Sequence, residues 1–113
     1  MDDWLVTLQR AKTTPPWPGR PSALLLAHGT MTLRFYKPTG RDTQMPHDQD
    51  QIYIVATGSG TVATGPSETT LQLRRFNPGD AIFVPAGHVH HFRDFSSDFA
   101  TWMMLWGRKG GEA

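Results

Sequence analysis

The chain has 113 residues, with eleven Lys and Arg against ten Asp and Glu, and no cysteine. That length gives room for one core. A net charge of +1 excludes the basic field of a nucleic-acid binder, and the lack of cysteine excludes disulfides, thiolate ligands and a thiol nucleophile. No apolar run reaches the length of a membrane span, and Met1-Asp2-Asp3-Trp4 is acidic where a secretory leader would be basic. The expectation is a cytoplasmic protein with no nucleic-acid or membrane partner.

In chain order, Trp4, Leu5 and Leu8 share one face of a possible short N-terminal helix. Thr13 to Pro21 holds four prolines, which fix φ, remove donors and push their predecessors extended. Residues 1–21 therefore read as a short helix or extended arm. From Ser22 onward, short apolar stretches alternate with turn residues. Ala23–Ala27 and Met31–Tyr36 read as a hairpin around His28-Gly29. Gln51–Thr57 is strongly β in composition and stops at Gly58-Ser59-Gly60. Thr61–Thr64, Thr70–Phe76, Ala81–Val84, His90–Arg93 and Ala100–Trp106 complete the set, and Asn77-Pro78-Gly79-Asp80 has its Pro and Gly where a tight turn wants them. About eight strands, with many turns between them, predict an all-β antiparallel barrel or sandwich over residues 22–107. Residues 108–113 read as a flexible tail.

Two clusters carry the chemistry-bearing side chains. One runs from Gly40 to Tyr53, the other from Gly79 to Asp94. In the second, Gly79, Pro85, Gly87 and His90 stand at spacings that closely resemble the second motif of the cupin family. Asp94 stands where that family usually has Asn. The first cluster resembles the first cupin motif in part. Counting back from Gly58, His47 occupies the second His position, Gln51 the Glu position and Met45 the first His position. Small single-domain bacterial cupins are the nearest in character.

The resemblance implies a cupin-type β-barrel, or jelly roll, with a divalent transition metal inside (Zn, Fe, Ni or Mn). The ligands implied are Met45, His47, Gln51 and His90. Two imidazoles suit such ions. Gln51 supplies a neutral oxygen in place of a carboxylate, which predicts weaker binding. Met45 is a soft donor, and Pro46 beside it can aim it away. Strand alternation puts Gln51, Tyr53 and Val55 on one face, so Tyr53 is a candidate acid or base. Phe35, Phe83, Phe92 and Gln44 are the candidate walls of a small-molecule pocket.

Plain structural readings stand beside these. His28, His88 and His91 read as surface residues, and Gly79, Pro85 and Gly87 as turn formers. Arg34, Arg74, Arg75 and Arg93 read as ordinary strand charges, though one pointing inward would indicate an anionic ligand. Two functions follow from the resemblance. One is a metal-dependent enzyme of dioxygenase, isomerase or lyase type on a small organic substrate. The other is a metal-poor, non-catalytic module binding a sugar or aromatic acid. The arm and the apolar C-terminal strand predict a homodimer.

Overall fold

The structure is a computed structural model that describes residues 4–42 and 46–112. Eight strands form: β1 (Ala23–His28), β2 (Met31–Tyr36), β3 (Asp50–Thr57), β4 (Gly60–Gly65), β5 (Gln72–Phe76), β6 (Ala81–Val84), β7 (Val89–Arg93) and β8 (Ala100–Trp106). A five-stranded sheet runs β1-β2-β8-β3-β6 and a three-stranded sheet β5-β4-β7. All pairs are antiparallel. The all-β expectation and the strand positions hold, because the turn residues punctuate the chain where the strands must end. The Asn77–Asp80 turn closes on itself through Asn77 N–H to Asp80 Oδ2, 2.8 Å. It is then pinned to β3 by Gly79 N–H to Val55 O and Val55 N–H to Asp80 O. Gly58 has a φ of +82°, and a Cβ there would stand 2.5 Å from the Phe99 Cα. Only glycine lets the β3–β4 turn lie on the 96–99 loop.

The N-terminal helix lies later than its apolar pattern suggests. It is α1 (Leu8–Thr13), because Thr7 is the N-cap, its hydroxyl accepting from Arg10 N–H at 3.1 Å. Trp4 and Leu5 remain exposed. Ala11 is the helical residue that packs, against Leu25, Phe35 and Ala100 on the outer face of the large sheet. Phe35 therefore does not line the barrel. Its neighbour in the strand, Tyr36, takes the inner side, so alternation turns Phe35 outward onto Trp102, at 5.3 Å between ring centroids. Phe83 is likewise outside, 53% exposed beside Trp106, because β6 sends Val84 inward opposite Gln51.

The main core fills the space between the sheets. Tyr36, Tyr53, Val55, Val62, Phe76, Val84, Phe92, Phe99, Met103 and Leu105 form one buried cluster. The segment after β2 closes one side of the barrel through Asp42. Its Oδ1 accepts from Tyr36 Oη at 2.5 Å and its Oδ2 from Phe92 N–H, on the outer edge of β7, at 2.9 Å. After β8 the chain returns across the barrel end. Gly107 N–H reaches Thr30 Oγ1, Gly110 N–H reaches Asp48 O, and Glu112 N–H reaches Asp50 Oδ2.

Candidate metal and small-molecule site

The polar residues of the interior gather at the end of the barrel where β3 begins and β6 ends. Gln51 and Tyr53 point inward from β3 because β3 alternates, and they are 1% and 0% exposed. His90 comes in from β7 at 2% exposure. His47 precedes β3, and its carbonyl accepts from Gly87 N–H at 2.7 Å. That bond ties the loop bearing His47 to the Pro85-Ala86-Gly87 turn before His90, and the two imidazoles lie stacked with centroids 5.6 Å apart. Asp50, next to Gln51, faces the other way. Its carboxylate accepts from Ala86 N–H and Glu112 N–H, which hold its pKa below the ordinary carboxylate value, and it braces the two loops over the site.

Within the cluster, Tyr53 Oη lies 3.0 Å from His90 Nε2 and 3.4 Å from Gln51 Oε1. His90 Nδ1 lies 3.4 Å from the His88 carbonyl. An Nδ1–H donated there leaves Nε2 as the lone-pair atom, aimed at Tyr53. His47 Nε2 is buried and has no hydrogen-bond partner among the described residues. Buried polar atoms without partners are rare and call for a reason. Both imidazoles are held below the ordinary histidine pKa. Burial is the main cause for each, and the neighbouring His90 and Arg34 add to the effect on His47. They are therefore neutral at physiological pH, the state in which imidazole binds a metal.

Of the residues singled out in sequence, His47, Gln51, Tyr53 and His90 come together. Phe92 is inside, stacked edge-on against Tyr53 at 5.0 Å. Phe35 and Phe83 are outside. Gln44 and Met45 fall outside the described residues. His91 points away from His90 and pairs with Glu68 at 2.9 Å. Two participants went unrecognised. Asp42 reaches the barrel side from a loop, and no local pattern marks it. Arg34 faces the interior, which the alternation of β2 implies once Tyr36 is known to be inside. No group of three His, Cys, Asp or Glu side chains stands ready for a metal among the described residues. Any ion would take the two imidazoles and neutral oxygens.

No protein-family model matches the chain. An uncharacterised protein of Streptomyces coelicolor is 40% identical over 57 residues, half of this chain and half of that protein, so the matched part of the chain spans about half the length of its curated relative. A Bacillus halodurans crystal structure aligns with a TM-score of 0.70 at 16% identity, over 96% of this chain and 86% of that one. A cupin superfamily protein of Desulfitobacterium hafniense aligns at 0.57 and 14%, over 77% and 76%. The Fe(II)-HppE structure aligns at 0.67 and 13%, over 95% and 62%. At these identities the likeness is one of fold.

Proposed function

We propose, from the premise that this fold is the cupin-type antiparallel barrel, that the chain holds a divalent transition metal through His47, His90 and the Gln51 side-chain oxygen and acts as an enzyme on a small organic molecule. One observation carries the reading. His47 Nε2 is buried with no partner among the described residues, and its ring is stacked on a second neutral imidazole. In the tautomer protonated on Nδ1, a metal ion would give that nitrogen a partner. An iron-bearing structure of the same fold supports the choice of group. When bound, the ion would supply Lewis acidity toward a substrate oxygen.

The rest falls to the chain's own residues. Tyr53 holds a proton on Oη, 3.0 Å from His90 Nε2, and can present it to a ligand once the imidazole turns to a metal. Gln51 orients by its carbonyl without adding charge. Phe92, packed against the Tyr53 ring, keeps water from its face. Without a carboxylate in the donor set, a bound ion keeps its full charge, and an anionic substrate group would offset it. The exposed Trp4 and Leu5 of the arm suit burial against a second copy of the chain, in the homodimer that forms part of this proposal.

A second reading rests on the Tyr53–His90 hydrogen bond, which already satisfies one of the two imidazoles. A site closed in that way suits a metal-poor binding module. Metal analysis of the tag-free protein, beside a His47→Ala/His90→Ala variant, separates the two. About one equivalent of a single metal, absent from the variant, is the expected result. No metal in the wild type after dialysis against Zn, Fe, Ni and Mn overturns the enzyme reading in favour of the binding module.

A further inference from the structure

Arg34 of β2 lies on the same inner face of the large sheet as Tyr53, and Arg20 of the arm lines a small cavity with it. A single transverse row crosses that sheet: Leu24 opposite Arg34, Arg34 opposite Met103, Met103 opposite Tyr53, and Tyr53 opposite Ile82. Residues in one row share a face, so Arg34 stands on the same face as Tyr53. It is half-buried. Over it folds the arm. Trp17-Pro18-Gly19-Arg20 is a turn closed by Arg20 N–H to Trp17 O at 2.9 Å, with Gly19 at a φ of +79°. Pro at the second position and a left-handed Gly at the third are the signature of a type II turn. That turn sets Trp17 and Arg20 together above Arg34. With Ser22 and Leu24 they line a small cavity of about 80 Å³. Such a volume holds several waters, at roughly 10–15 Å³ for each, and so an oxyanion group, but not a whole metabolite.

The charge arrangement is unusual. Two arginines line one cavity, and no carboxylate among the described residues forms a salt bridge with either. A partly buried arginine beside a second like charge is repelled by it unless an anion joins them. Arg34 shows that strain, its pKa lowered first by burial and then by the Arg20 charge. Its charge also adds to the lowering of the His47 pKa. Arg74 also lies on an inner face, but its wider cleft contains the Asp80 carboxylate.

We propose that Arg34 and Arg20 form an oxyanion subsite that takes the carboxylate or phosphate group of the small molecule bound in the barrel. Arg34 offers the planar fork that matches either group, Arg20 closes over it, and the Trp17 ring walls one side. The chain then selects anionic molecules. Their reacting end would lie toward His47 and His90; that link rests on the proposed function, while the subsite itself rests on the arginines.

The test uses the full, metal-stripped chain at constant ionic strength. Inorganic phosphate and acetate are titrated in turn while the side-chain Nε–H resonances of Arg34 and Arg20 are followed by NMR. The expected result is a saturable shift of both resonances with one of the anions; which anion saturates tells phosphate from carboxylate. Affinity should fall about tenfold or more in Arg34→Met, as expected for lost charge-assisted bonds, and less in Arg34→Lys, which keeps the charge but loses the fork. Arg20→Ala, a change on the exposed arm, gives the same answer should Arg34→Met fail to fold. No saturable shift with either anion, or unchanged affinity in folded Arg34→Met or Arg20→Ala, overturns the proposal. The His47→Ala/His90→Ala variant should still bind the anion. Metal without anion binding therefore rejects this subsite alone, and anion without metal binding rejects the metal reading alone.

Discussion

At one end of the barrel interior, Phe76, Phe92 and Phe99 meet ring to ring at 5.0 to 5.7 Å. At the other, Gln51, Tyr53 and His90 occupy comparable depth with polar atoms, and His47 beside them is partly buried. The aromatic end is satisfied by contact alone, and every ring has neighbours. The polar end satisfies itself only in part, since Tyr53 serves His90 while the Nε2 of His47 has no partner among the described residues. One end is closed by contacts that the fold itself supplies, and the other leaves a buried polar atom for the proposed ligand to meet. Tyr53 joins them, its ring on Phe92 and its hydroxyl on His90.

Truncating the aromatic end has the largest expected effect. Phe92→Ala should cost about 3–5 kcal/mol and lower the melting temperature by on the order of 10 °C or more, measured by calorimetry. A loss under ~1 kcal/mol would mean that this end is not the stabilising one. Charging the polar end comes next. Gln51→Glu should raise metal affinity, and it should destabilise the metal-free chain by about 1–3 kcal/mol because the new carboxyl is buried. Unchanged metal affinity would remove residue 51 from the coordination sphere.

Cutting the link between the ends is gentler. Tyr53→Phe removes the bond to His90 and keeps the ring on Phe92, so about 0.5–1.5 kcal/mol should be lost on denaturant unfolding. A loss on the scale of Phe92→Ala would place Tyr53 with the core. The smallest effect is titration of the two histidines. Both folded-state pKa values lie below 6.5, mainly through burial, so the unfolded chain takes up protons first as pH falls. The metal-free protein should therefore lose stability below about pH 6.5 and stop losing it once pH passes below the folded-state values. His90→Gln should flatten that slope, and an unaltered slope would assign the pH dependence to other groups.

The strands were readable because Gly, Pro, Asn and Asp cut the chain at intervals, and the meeting of His90 with Gln51 and Tyr53 followed from motif spacing and alternation. Other positions misled local reading. Phe35 has the composition of a pocket wall, yet β2 sends it to the outer face, where α1 covers it. Arg34 looks like a surface charge, and the inward Tyr36 two residues on, with the register to Met103 and Tyr53, places it inside. Trp4 and Leu5 suggest a helix that Thr7 caps too late to include.

By itself, the sequence determined the local facts: where the chain turns, which residues alternate and, through the resemblance to the cupin motifs, which side chains to look for inside. Tertiary structure decided which face of each strand is the inside, and how residues distant along the chain meet. Asp42 closes on Phe92, and Arg20 comes down over Arg34. The physical reason is that a strand has two equivalent faces until a second sheet covers one of them. A loop residue has no periodicity at all, so its partner is set only when the barrel closes.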